Sequence, residues 1–206
     1  MPGVIETIQK RRSTRNFLAH EVPSELVLEC LAAAGWAPSA HNSQPWRFIV
    51  VSDPALKQKL VCGMAEAWAA DLTRDCLTVD EEKRRDRVDR FAKAPVLILA
   101  CLTMEGFRKF PDSERQGYER DLAVQSLGAG IQNLLLAATA AKLASCWFCA
   151  PGFCKETVRK ILNIPADVEP HAFLILGYAG ETQPTPPKKA ISDYCFVNLW
   201  GKKLKI

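Results

Sequence analysis

Histidine is scarce in this sequence: His20, His41 and His171 are the only three in 206 residues. They are scattered, and no Ser/His/Asp or Cys/His order among them suggests nucleophilic catalysis. No paired carboxylates stand out from the surface acids, so hydrolytic acid–base chemistry lacks its residues. Neither G-x-G-x-x-G nor G-x-x-x-x-G-K-S/T occurs, which excludes Rossmann and P-loop readings. Cysteine, eight residues, is too sparse for a small disulfide scaffold. The chain opens Met-Pro-Gly-Val-Ile-Glu with no apolar export stretch, so a cytoplasmic protein with reduced thiols is expected. A net charge of +4 is too small a bias to suggest a nucleic-acid partner without a groove-reading motif.

What is present is ordinary globular material, 48% hydrophobic and 24% charged. A single domain over residues 1–206 is expected, burying roughly 70% of the surface of its unfolded chain without metal or disulfide staples. The longest uncharged stretch, Leu122 to Ala141, has the length of a membrane span. Gln125, Gln132 and Asn133 along it would be costly facing lipid. No membrane partner is expected, and the segment reads as a helix that is buried or faces a second subunit.

Hydrophobic periodicity gives a mixed order of helices and strands, hence α+β around a central sheet. Val4–Lys10 reads as a short helix, and Pro23-Ser24 opens a second carrying Leu26, Val27, Cys30, Leu31 and Ala34 on one stripe. Trp46–Val51 reads as a strand. Asp53-Pro54 supplies an N-cap and a first-turn proline for a helix toward Leu72. Asp71–Lys93 interleaves acids and bases, as in a solvated helix or a mobile lid. Pro95–Cys101 is apolar throughout, the pattern of a central strand. Met104–Gly117 reads as irregular, Tyr118–Leu143 as a long helix, Ser145–Cys149 as a strand, Cys154–Leu162 as a helix and Ala172–Tyr178 as a strand. Beyond Gly180 the chain becomes Gln-Pro-Thr-Pro-Pro-Lys-Lys, then a basic tail with Tyr194, Phe196, Leu199 and Trp200. Those aromatics are expected to dock, most economically on a partner subunit.

Three constellations could carry chemistry. Arg11-Arg12-Ser13-x-Arg15 can clamp a phosphate through charge-assisted hydrogen bonds, or it can simply finish a helix against its dipole. Pro38-Ser39-Ala40-His41-Asn42-Ser43-Gln44-Pro45 displays an imidazole, two amides and two hydroxyls on a stiff loop, suited to reading a heteroaromatic ligand or to satisfying its own turn. Cys146, Cys149 and Cys154 have a metal-like spacing, but Trp147 and Phe148 mark a strand whose alternation puts Cys146 and Cys149 on opposite faces. No metal is expected there. The Ala150-Pro151-Gly152 turn lets backbone approach a ligand closely. With no side chain equipped for the chemistry, a bound organic cofactor is expected.

At these residues the sequence resembles the FMN-dependent nitroreductase family. The landmarks are Arg11-Arg12-Ser13-x-Arg15, Ser39-x-x-Asn42-Ser43-Gln44-Pro45-Trp46-x-Phe48, Gln132-Asn133-Leu134, Ser145-Cys146-Trp147, Ile164-Pro165 and Leu176-Gly177-Tyr178. Within that family, Ala150–Cys154, Val158–Pro165 and Asp86-Arg87-x-Asp89-Arg90 are most similar to the nitroreductase-like domain attached to deazaflavin-coenzyme γ-glutamyl ligases. The ligase half is absent. The resemblance implies an α+β nitroreductase-like fold with a mixed, mainly antiparallel sheet. It also implies an intertwined homodimer with a swapped C-terminal tail and one FMN in each of two interfacial clefts. By position, Arg11, Arg12, Ser13 and Arg15, aided by Lys188 and Lys189, would hold phosphate and ribityl chain. Pro38, Ser39, Ala40, Asn42 and Gln44 would come from the other subunit to line the ring, and backbone at Ala150, Pro151 and Gly152 would lie near its hydride-accepting nitrogen. Many members carry an acidic residue at that last turn; this chain does not.

The implied function is hydride transfer from NADH or NADPH through FMN to an electron-poor organic acceptor such as a nitroaromatic or quinone. Alternatives are a deazaflavin-related reductase or binding protein, a member that cuts flavin or removes halogen, and a flavin-binding module without turnover.

Overall fold

In a computed structural model, residues 3–180 and 184–204 are described. Met1, Pro2 and Gln183, the start of the chain and of the proline-rich segment, lie outside the described residues. Six helices and four strands follow in the order α1 (Val4–Lys10), α2 (Ser24–Gly35), β1 (Trp46–Val51), α3 (Pro54–Arg74), α4 (Glu81–Ala92), β2 (Val96–Thr103), α5 (Ser113–Ala140), β3 (Ala144–Phe148), α6 (Lys155–Leu162) and β4 (Val168–Gly177).

The strands form one sheet in the order β1-β2-β4-β3, each pair antiparallel. The inner strands are apolar on both sides, and this forces helices onto both faces. Ile98, Ala100 and Leu102 of β2 join Ala172, Leu174 and Leu176 of β4 in a core under α2 and α5. The alternate residues Leu97, Leu99, Cys101, Phe173 and Ile175 build the opposite core under α3, α4 and α6. At Gly130 of α5 an added Cβ would lie 3.2 Å from the Trp46 ring and 3.4 Å from the Ala34 carbonyl. Glycine there allows α5 to close onto α2 and β1.

Three helices start on aspartate caps. Asp53, Asp80 and Asp112 accept the N–H of Leu56 (2.6 Å), Lys83 (3.1 Å) and Arg115 (2.8 Å). The Asp112 cap starts α5 at Ser113, inside the segment that reads as irregular in the sequence. The charged Asp71–Lys93 stretch divides into the end of α3, a short connection and α4. Although α4 looks fully solvated by composition, Phe91 enters the core and Val88 packs against it.

Two further differences concern the sheet. It is antiparallel rather than mixed; parallel pairing among the described residues is confined to the isolated bridge Ser13–Ser145. Strand β4 begins at Val168 because Glu169 and Pro170 pair with Leu102 and Cys101 across a bulge that alternation alone does not reveal. In the tail, Phe196 and Trp200 stack with centroids 4.9 Å apart, yet Trp200 is 92% exposed and Leu199 71%. The expected docking of these aromatics therefore does not occur within the chain.

Candidate functional site

The segment after α1 lies along the β3 edge of the sheet. Thr14 N–H donates to the Ser145 carbonyl (2.9 Å), and Leu18 N–H to that of Tyr178 (2.9 Å). The peptide is fixed there while Ser13 and Arg15 remain exposed. The Arg15 guanidinium lies 6.0 Å from the centre of the Phe148 ring, and Arg90, arriving from α4, lies 5.7 Å from it. Arg11 joins them in acting on Cys146: burial raises that thiol's pKa, and the charges of Arg15, Arg90 and Arg11 pull against the rise. Among the described residues, Arg11, Arg15 and Arg90 form no ion pair. Three like charges gathered without a counter-ion favour a bound anion. At the same edge, Ser145 Oγ is buried with no hydrogen-bond partner.

Arg12 behaves differently. Its Nη1 donates to the carbonyls of Gln9 (2.5 Å) and Arg11 (2.8 Å), and its Nη2 to Thr185 Oγ1. It caps α1 and ties down the proline-rich segment, the role that helix-dipole chemistry assigns it. Lys188 and Lys189 follow Thr185 and are exposed.

The Pro38–Gln44 loop has its own strained geometry. His41, Asn42 and Gln44 all adopt left-handed backbone (φ 56°, 52° and 46°), a conformation that costs about 1 kcal/mol or more for each non-glycine residue. Internal hydrogen bonds hold it. Ser39 Oγ accepts Gln44 N–H (3.0 Å), and Ala40 N–H donates to Ser126 Oγ of α5 (3.1 Å). His41 Nε2 stands 3.5 Å from the buried Glu119 carboxylate. The Ser39 hydroxyl thus serves its own turn, whereas the side chains of Asn42 and Gln44 are exposed.

This loop feeds β1, and the arginine corner lies on β3. Those are the two outer strands of the sheet, about 14 Å apart at three strand spacings. One chain therefore brings Arg11, Ser13 and Arg15 together with the start of the Ala150–Gly152 turn, but not with Pro38, Ser39, Ala40, Asn42 and Gln44. Arg90 and Ser145 belong to the corner as well; in the sequence they stand only within segments of family resemblance, with no binding role assigned to them. Arg90 sits in a charge-rich helix whose pattern does not distinguish one arginine from another.

Beside the turn, between α3 and α4, is a cavity of about 410 Å³ floored by Val61, Met64 and Phe91 and walled by Ala150 and Cys154. Burial and the charge of Asp71 push the Cys154 thiol up to about 11, so this wall is neutral. Cys146 is buried and Cys149 exposed, and the described residues contain no group of three or more His, Cys, Asp or Glu placed to hold a metal.

Behind the turn, where a Cβ on Gly152 would lie 3.6 Å from the His171 carbonyl, β4 carries an ionic cluster. Glu169 Oε1 accepts from Arg120 Nη2 of α5 (2.7 Å) and from Lys155 Nζ of α6, with His171 Nε2 3.5 Å away. Burial alone would raise the Glu169 carboxyl, but the Lys155 and Arg120 bonds outweigh it and hold it below its ordinary 4.5. Burial lowers the His171 imidazole from 6.5, with Glu169 opposing in part. Both groups therefore bind protons less readily in the folded chain than in the unfolded one. Their contribution to stability is complete above about pH 6.5 and is lost on acidification, first through His171 and then through Glu169. The melting temperature is expected to fall from about pH 7 to about pH 4, and His171→Gln is expected to flatten the upper part of that fall. A melting temperature constant over this range would contradict the assignment.

The profile of the nitroreductase family matches residues 8–178. Iodotyrosine deiodinase of Thermotoga neapolitana is 29% identical over 196 residues, covering 93% of this chain and 96% of that protein. A BluB-like flavoprotein from Clostridium difficile 630 superposes with a TM-score of 0.79 at 26% identity, over 95% of this chain and 98% of the other. An iodotyrosine deiodinase bound to FMN and 3-iodo-L-tyrosine shares the fold, with a TM-score of 0.70 at 23% identity over 91% and 96% of the two chains. The finer resemblance to the domain attached to deazaflavin-coenzyme γ-glutamyl ligases finds no support among these relatives.

Proposed function

The chain belongs to the nitroreductase family, and from that premise we propose that it is an FMN-dependent oxidoreductase working as a cytoplasmic homodimer, each chain a single domain. The observation that carries this reading is the corner of Arg11, Arg15 and Arg90, three guanidiniums without an ion-pair partner among the described residues, gathered at the β3 edge beside the Ala150–Gly152 turn. Bound FMN would supply two-electron chemistry, passing a hydride from NADH or NADPH to an acceptor. For a quinone the balance is NAD(P)H plus a proton plus quinone giving NAD(P)⁺ plus hydroquinone.

The protein's part is placement and charge. Arg11 and Arg15 would neutralise the phosphate, Ser13 would donate its hydroxyl, and Lys188 and Lys189, brought near by the Arg12–Thr185 bond, would add positive charge. Pro38, Ser39, Ala40, Asn42 and Gln44 of a second copy would close over the ring, with Asn42 and Gln44 presenting free amides. Backbone at Ala150 to Gly152, packed against β4 at His171, would border the reacting face. The exposed apolar side chains of α1 and the tail, Val4, Ile5 and Trp200 among them, supply surface for the second copy to cover.

A second reading is favoured by the deiodinase relatives: reductive removal of halogen from a halophenol, in which two electrons and a proton replace the carbon–halogen bond with carbon–hydrogen and release halide. The purified protein is expected to be yellow and to bleach anaerobically with one nicotinamide. Reoxidation by quinone, nitroaromatic, deazaflavin and iodophenol in separate cuvettes then ranks the acceptors. A protein that binds no flavin overturns the proposal. One that binds flavin but never bleaches with either nicotinamide is a module without nicotinamide turnover.

A further inference from the structure

The cavity beside the Ala150–Phe153 turn is apolar at its floor and charged at its mouth. At the mouth, the Arg87 guanidinium of α4 lies over the face of Trp68 of α3, 4.1 Å from the ring. Asp71, from the last turn of α3, and Asp75, its C-cap, line the same cavity. Asp71 pairs with Arg74 at 2.6 Å. Among the described residues, neither Asp75 nor Arg87 has an ion-pair partner.

Arg87 is thus held by the ring face rather than by an ion pair, and Asp75 is left as an unpaired acid in the same lining. Such a place favours a cation on two counts, the quadrupole of Trp68 and the charge of Asp75. Arg87 is exposed at the cavity mouth, so it can withdraw into water at little cost. A volume of about 410 Å³ over Val61, Met64 and Phe91 suits one substituted aromatic ring.

We propose that this cavity admits a flat aromatic molecule bearing a cationic amino group, which displaces Arg87 from the Trp68 face and pairs with Asp75. The proposal rests on the reading of the turn as the flavin-side wall, because that wall makes the cavity the acceptor pocket. Arg87 is then a placeholder for the ligand's own cation. It competes with cationic ligands and does not recruit anionic ones.

The test uses the holoprotein and three matched probes: 4-nitrobenzylamine (cationic), 4-nitrobenzyl alcohol (neutral) and 4-nitrobenzoate (anionic). Affinity is read twice, by equilibrium dialysis with oxidised protein and as KM in turnover. The amine is expected to bind roughly 10-fold more tightly than the alcohol and the benzoate most weakly, in line with a desolvated cation–π contact. Asp75→Asn is expected to bring the amine to the level of the alcohol and to leave the alcohol unchanged. Arg87→Ala is expected to tighten the amine several-fold. Equal affinities, a preference for benzoate, or weaker amine binding by Arg87→Ala would overturn the proposal. Dialysis needs no turnover, so a chain that binds the amine selectively but carries no flavin would sink the oxidoreductase reading and leave the cavity's selectivity standing.

Discussion

Replacing Arg11 and Arg15 together by alanine is expected to give a folded, colourless protein. Both lie on the fixed β3-edge peptide, where Thr14 N–H holds the Ser145 carbonyl, and among the described residues neither has an acidic partner whose loss would leave a buried charge behind. The cost therefore falls on the bound anion and not on the fold. Surface substitutions of this kind change stability by about 0.5 kcal/mol or less. A hydrogen bond to a charged group contributes about 1.5–3 kcal/mol, so losing two weakens FMN binding by roughly 10²-fold to 10⁴-fold. Absorbance of the purified protein, titration with added FMN and a thermal melt check all three statements. Arg12→Ala is the informative control. Its guanidinium is engaged by the Gln9 and Arg11 carbonyls and by Thr185, so its removal should loosen α1 and the proline-rich segment more than it weakens FMN. A double variant that retains stoichiometric flavin, or an Arg12 variant that loses it while the Arg11/Arg15 variant does not, would remove the phosphate corner from the proposal.

That corner was partly legible because its residues are consecutive. Arg11-Arg12-Ser13-x-Arg15 is visible in any reading of the chain, and so is the Asp53-Pro54 start of α3, since both are local signals. Spacing could not assign the three arginines their different roles. Arg12 turns back to the end of α1 and Arg15 turns toward Phe148, a choice made by the bridge between Ser13 and Ser145, residues separated by most of the chain. The place of Arg90 at the corner was hidden for the converse reason, although its segment carries the family resemblance. Arg90 lies in a helix where acids and bases alternate, and only the burial of Phe91 in the core turns the preceding residue toward β3. The apolar runs of β2 and β4 announced a sheet buried on both sides, but a continuous run carries no alternation, so it gave neither the order β1-β2-β4-β3 nor the bulge at Ala100/Cys101. The cavity between α3 and α4 was not legible at all, because it is a product of how two helices with unremarkable sequences pack.

The separation of the Pro38–Gln44 loop from the arginine corner makes a sharper demand. If each flavin cleft takes its arginines from one chain and its loop from another, damage to the two halves should complement in trans. One variant carries Arg11→Ala and Arg15→Ala. The other carries Asn42→Trp, which places an indole where the ring would lie; Asn42 is exposed, so the change costs the fold only about 1–2 kcal/mol for a bulky left-handed residue. Each variant alone should form a colourless homodimer. In a hybrid, one cleft combines the intact arginines of the Asn42→Trp chain with the intact loop of the arginine variant, and the other cleft inherits both defects. Random reassortment of equal amounts makes about half the dimers hybrid, so the mixture should recover about a quarter of the wild-type flavin capacity. Hybrids isolated through two different affinity tags should bind one FMN per two chains. A site built within a single chain gives no recovery in either experiment, because every copy of it would still carry one of the two lesions. Colourless hybrids of confirmed dimeric mass would therefore overturn the shared cleft while leaving the arginine corner to be judged on its own variant.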